Sequence, residues 1–303
     1  MTMDSFDFSA IDSHAKIEIP LAADIFRVSP EYWSETSSTF IEKWPGELVE
    51  LSVDSVGLRL SEEEMRVMGG QIIELGEGFD TDGLDTLGLR TEMVNRLQAI
   101  ISDRFPGGAF VRLGSRSPKD RLYISENGLS RDGRVVSGEQ AFLTLTACSE
   151  RIYEDLQTAL AMGYQSFVWL REWLDLEPWQ EFRCFVQNRE LVGISQYDYQ
   201  LGMLPKIANN QADIEAAIRD FMPSVINACH LDDVVMDVFL TEESEGLKAR
   251  LLEINPFGIT TDPGLFDWNN LDEFDGRFKY CTGVKPDHLC RGMDLFDEDE
   301  DEF

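Results

Sequence analysis

The chain is short of cysteine, of histidine, of basic residues and of long apolar runs. Its five cysteines (Cys148, Cys184, Cys229, Cys281 and Cys290) are scattered, and none forms a Cys-x-x-Cys pair. An odd number without motif spacing excludes a disulfide framework readable from sequence and predicts reduced thiols in a cytosolic protein. The three histidines, His14, His230 and His288, are too dispersed to mark a zinc site. No apolar run approaches the ~20 residues that a membrane-spanning helix needs. The first ten residues, MTMDSFDFSA, are acidic and lack the basic-then-apolar order of a secretory signal. Lys and Arg total 26 against 57 Asp and Glu, for a formal net charge of -31. Such a balance repels nucleic-acid backbones unless a local basic patch offsets it, and no long one occurs. A Walker A loop, a kinase-type Gly-rich loop with its catalytic motif, and GxGxxG are also missing. The expectation is a soluble cytoplasmic protein with neither nucleic acid nor membrane as partner.

At 303 residues and 43% hydrophobic composition, the chain has material for one large domain or two lobes. Residues 1–15 and about 69–88, which include GEGFDTDGLD, read as loose. Residues 16–21 alternate apolar and polar like a half-buried strand, and residues 47–60 also read as extended. Ser61 with Glu64 makes a capping box for a short helix through Met68. A helix from about Thr91 aligns Met93, Val94, Leu97, Ile100 and Ile101, and Pro106-Gly107-Gly108 stops it. Residues 109–113 form a strand carrying Arg112, and a loop with Ser115, Ser117 and Lys119 follows. Residues 123–124 read as a further strand. Helical patterns cover about 140–146, 150–162 and 212–230, with Pro223 expected to kink or restart the last. Residues 167–173 read as a strand, and 181–186 with 191–197 as a hairpin. The mixed order implies an α+β fold with antiparallel sheets dominant. The final residues, DLFDEDEDEF, read as an acidic disordered tail.

The densest chemical signal lies in residues 237–258, two strands joined by TEESEGLK. Residues two apart on a strand share a face, so Glu253 and Asn255 project together. With the turn near Glu245, Asp237 falls opposite Glu253. Two carboxylates and an amide oxygen then converge among apolar residues. Buried acids repel unless something cationic sits between them, and hard oxygen ligands suit Mg²⁺. The plain alternative is a hairpin with solvated acids. Arg112, Lys119, Arg171 and Arg183 occupy conspicuous places in an acidic chain. Each either pairs with an acid or faces a phosphate.

The stretches Trp169-Leu-Arg-Glu-Trp173, Glu181-Phe-Arg-Cys-Phe-Val186, Val235-Met-Asp237 and Glu253-Ile-Asn-Pro-Phe-Gly258 stand in one order, with Ser117-Pro-Lys119 ahead of them. Over roughly residues 109–271 this pattern resembles the cell division cycle protein 123 family. The resemblance implies an ATP-grasp fold, with two lobes of mostly antiparallel sheet clasping ATP: an N-terminal lobe (1–168), a C-terminal lobe (169–290) and the tail (291–303). It further implies phosphate contacts from Arg112 and Lys119, an adenine seat on backbone groups of Trp169, Leu170 and Arg171, a phosphate contact from Arg183, and Mg²⁺ on Asp237, Glu253 and Asn255. Arg183 and Lys119 would be the residues closest to any phosphoryl chemistry. Arg112 stands where the family usually has Lys, and Glu253 where it often has Asp. By the same resemblance the chain is expected to be an ATP- and Mg²⁺-binding assembly chaperone for translation initiation factor 2, acting on its gamma subunit. The alternative is an ATP-dependent carboxylate-amine ligase working through an acyl-phosphate. On this reading Asp237→Ala should abolish Mg²⁺-dependent ATP binding while leaving the fold intact.

Overall fold

Two sheets carry the fold, one wholly antiparallel and one antiparallel but for its edge strand, each with its own apolar core. The computed structural model describes residues 30–70, 81–119, 133–147 and 149–283. The expected strands at 16–21 and 123–124, the loose residues 1–15, the middle of the loose 69–88 segment and the acidic tail lie outside these residues.

The described residues open with α1 (Pro30–Ser37) and a 3₁₀ turn at Ile41–Lys43, followed by α2 (Gly46–Glu50). The extended reading of 47–60 is therefore corrected in its first half. Burial of Leu48 beside Trp44, in the second core, favours a helical turn after Pro45. Next come β1 (Ser55–Arg59), α3 (Glu62–Gly70) and α4 (Thr86–Arg104). The capping box is present: the Ser61 amide donates to Glu64 at 2.7 Å, and the Glu64 amide donates to the Ser61 hydroxyl at 3.1 Å. Helix α4 starts five residues before the expected Thr91, because the Asp85 carboxylate caps it by accepting from the Gly88 amide. Met93, Leu97 and Ile101, at four-residue spacing, are buried, and each contributes about 1.5–3 kcal/mol of apolar burial.

Strands β2 (Ala109–Leu113) and β3 (Arg134–Val135), helices α5 (Gly138–Thr146) and α6 (Glu150–Ala161), and strand β4 (Phe167–Glu172) complete the first sheet, ordered β1-β4-β2-β3. Gly57 lies opposite Trp169. A Cβ on Gly57 would come within 2.9 Å of the Trp169 indole, so only glycine lets the ring lie across β1.

The second sheet, ordered β8-β7-β5-β6-β9, uses β5 (Glu181–Gln187), β6 (Glu190–Gln196), β7 (Val234–Glu243), β8 (Gly246–Pro256) and β9 (Phe278–Lys279). Between β6 and β7 run α7 (Pro205–Asn209) and α8 (Gln211–Ala228). Helix α8 continues through the exposed Pro223, which leaves the carbonyl one turn earlier without its helical donor. Its buried face (Ile214, Ile218, Met222 and Val225) packs on one side of the sheet. The aromatic residues Phe185, Phe266 and Phe274 cover the other side. Ile41, Trp44 and Leu48 join the second core from the N-terminal segment. The passage from one sheet to the other runs through residues 173–180, so a division at 168/169 falls inside β4.

Candidate functional site

Strand register builds the site. Arg183 on β5 pairs with Asp237 on β7, and Asp237 pairs with Glu253 on β8, so one polar row crosses three strands. Directly paired residues present side chains on the same face. The predicted convergence of Asp237 with Glu253 is thus the observed register, with a bulge beside it where Leu252 is the extra residue on β8.

Guanidinium groups of the chain itself sit against both acids. Arg183 clamps Asp237 through two bonds of 2.8 Å, Nε to Oδ1 and Nη2 to Oδ2. Its Nη1 donates to the Asp262 carbonyl at 2.7 Å. Asn255 donates from Nδ2 to Asp237 Oδ2 at 3.3 Å. Arg112 crosses from the first sheet and donates to Glu253 Oε1 at 2.6 Å and to the Leu113 carbonyl at 2.9 Å. Asp237 is 1% exposed and Arg112 3%. Asp237 is therefore not an unpaired acid, and the expectation that its removal leaves the fold intact is corrected: the loss would strand a buried cation.

A cavity of about 660 Å³ opens beside this row, lined among others by Lys119, Arg183, Tyr197, Glu253, Asn255 and Asp262. Four of the predicted site residues (Lys119, Arg183, Glu253 and Asn255) reach its wall, while Asp237 and Arg112 sit behind them as counter-charges. The structure does not bring Trp169, Leu170 or Arg171 to the cavity. β4 is an inner strand with its backbone paired to β1 on one side and β2 on the other, so its backbone groups are committed to the sheet. Leu170 is fully buried in the first core. The Trp169 indole donates to Glu42 at 3.1 Å. Arg171 ties the two sheets together, donating to the Leu252 carbonyl at 2.6 Å, to Ser52 Oγ at 2.8 Å and to Ser55 Oγ at 3.2 Å. Burial, with Arg112 nearby, depresses the Arg171 pKa to about 9, which leaves it charged at neutral pH.

The electrostatics are balanced within the row. Burial would raise Glu253, but Arg112 and then Lys119 outweigh it and hold the carboxyl down, at about 2. Burial likewise works against the charge on Arg183, and Asp237 more than offsets it. Two residues at the site escaped the sequence reading. Tyr197 lies under both Lys119 and Arg183, with the cations 4.9 Å and 5.0 Å from its ring centroid. Glu181 stands two residues before Arg183 and so on the same face of β5, a spacing that could have flagged it. Burial pushes its carboxyl up to about 7, against the pull of Lys119.

Among the described residues no three His, Cys, Asp or Glu side chains gather as a metal site. The donor set is two carboxylates and an amide, all hard oxygen chemistry. That fits Mg²⁺, which commonly takes one or two carboxylates and completes its shell with water and phosphate. Arg183 holds both oxygens of Asp237, so a metal would share that carboxylate, which has lone pairs for more than one partner.

The D123 family model matches residues 89–301. The chain belongs to the D123 family. The translation initiation factor eIF2 assembly protein of Xenopus tropicalis is 33% identical over 172 residues, which cover 54% of this chain and 50% of that protein. Cell division cycle protein 123 of Eremothecium gossypii is 31% identical over 242 residues, covering 72% of this chain and 65% of that one. The chain thus spans only part of these relatives, about half of the first. The solved structure of Cdc123 from Schizosaccharomyces pombe matches with a TM-score of 0.64 at 20% identity, over 82% of this chain and 95% of that chain. The α+β arrangement expected from the sequence is the fold found, two sheets with antiparallel pairing dominant, and it is shared with the Cdc123 structure.

Proposed function

We propose that the cavity beside the Arg183–Asp237–Glu253 row binds ATP together with Mg²⁺. The observation that carries this reading is the convergence of Lys119 and Arg183 on a cavity whose wall also holds Glu253 and Asn255. Polyphosphate oxygens would satisfy the two cations by charge-assisted hydrogen bonds. Glu253 and Asn255, with Asp237 behind them, are the residues that would hold the metal. When bound, Mg²⁺ supplies charge neutralisation for the phosphates.

The chain's larger role on this reading is assembly of translation initiation factor 2 through its gamma subunit, in the cytoplasm. Membership of the D123 family and the names of its relatives support it. Among the described residues no helix is long and apolar enough to cross a membrane. A pull-down with the isolated gamma subunit, run with and without Mg²⁺ and ATP, tests the role. Association strengthened by the nucleotide is expected, and no association in either condition rejects the assembly reading.

A further inference from the structure

Tyr197 occupies a position that neither the charge row nor the phosphate reading explains. It follows the last residue of β6, and its amide donates to the Glu181 carbonyl at 3.2 Å, which fixes its backbone against β5. Its phenol oxygen accepts a hydrogen bond from Lys119 Nζ. The faces of its ring meet the ammonium of Lys119 and the guanidinium of Arg183. Lys119 comes from the loop after β2, in the first lobe, whereas Arg183 lies on β5, in the second. Nothing in either strand register brings the two together. One phenol ring does, and it faces the same cavity. Two cations held close repel each other. The negative ring face and the hydroxyl offset part of that repulsion before any anion arrives.

We propose that Tyr197 is the positioning residue for Lys119 and Arg183, and that through them it sets the preference of the cavity for a polyphosphate over an uncharged nucleoside. This rests on the nucleotide reading of the cavity. The phenol fixes the ammonium by hydrogen bond and the guanidinium by ring contact, so an incoming phosphate chain meets both cations already placed. The electrostatics agree. Burial acts to lower the Lys119 pKa, and Tyr197, followed by Glu253 and Asp237, raises it above its ordinary value. Glu181 and Asp198 also face this ammonium.

The test compares the full chain with Tyr197→Phe and Tyr197→Leu. Calorimetric titrations use Mg²⁺ with ATP, ADP and adenosine, and Lys119 is titrated in parallel by NMR of its labelled side chain. Tyr197→Phe keeps the ring and removes the hydroxyl. It should weaken ATP about tenfold, the loss of one charge-assisted hydrogen bond, and leave adenosine unchanged. Tyr197→Leu should weaken ATP severalfold more. In both variants the Lys119 pKa should fall relative to the parent. Equal ATP affinity in the parent and Tyr197→Phe, or equal losses for ATP and adenosine, overturns the proposal. A parent chain that takes no ATP overturns the nucleotide reading instead. The NMR titration then decides the positioning role alone: a Lys119 pKa unmoved in Tyr197→Phe overturns it.

Discussion

Replacing Asp237 by alanine should destabilise the protein far more than the loss of an exposed acid would. Asp237 is 1% exposed and accepts two 2.8 Å bonds from Arg183, itself 8% exposed. Removing one partner of a buried, bidentate ion pair leaves the other charge uncompensated, at about 3–5 kcal/mol. For a chain of this size that corresponds to a fall in Tm on the order of 10 °C. The pair itself is worth much less, because desolvation of both charges cancels most of their attraction. A double variant, Asp237→Leu with Arg183→Met, should therefore recover most of the loss. Urea unfolding of the parent, both single variants and the double variant gives the coupling directly. A loss under about 1 kcal/mol in Asp237→Ala, or a double variant no better than the sum of the singles, would refute the buried-pair account.

Arg171 is expected to be structural. Arg171→Met should lower stability by roughly 3 kcal/mol, since the Leu252 carbonyl and the Ser52 and Ser55 hydroxyls lose their partner. Thermal melts measure it, and an unchanged Tm with lost ATP affinity would return Arg171 to the binding site. Glu181 should make stability pH-dependent. Its folded pKa, about 7, lies above its ordinary 4.5. Its stabilising contribution is thus fully present below about pH 4.5 and is lost as pH rises through about 7, costing about 3 kcal/mol by pH 8. Glu181→Gln should flatten urea midpoints between pH 5 and pH 8, and an identical pH slope in both proteins contradicts the assignment.

Local rules made much of the fold legible. The Ser61–Glu64 capping box, the 181–197 hairpin and the pairing of Asp237 with Glu253 follow from short-range spacing alone. The misreadings came where distant packing decided the outcome. Residues 46–50 turn helical because Leu48 buries against a core some 130–200 residues away in sequence. At the site, sequence spacing put the acids together but could not say which cation would reach them. Arg183 is Asp237's cross-strand neighbour, but Arg112 arrives from the other sheet. Trp169, Leu170 and Arg171 form a contiguous run, yet an inner strand turns their backbone into sheet rather than binding surface. Tyr197 carried no charge and fell at a strand end, so nothing in its own spacing marked it.

The central claim is that the Lys119–Arg183–Glu253 cavity binds a nucleotide polyphosphate with its metal. Its most direct test is calorimetric titration of ATP into the full chain, with Mg²⁺ present and then chelated, in the parent and in Lys119→Ala. The account predicts saturable one-to-one binding to the parent, weakened about tenfold or more both by chelation and by Lys119→Ala. Absence of ATP binding to the parent, or binding indifferent to Mg²⁺ and to Lys119, would contradict it.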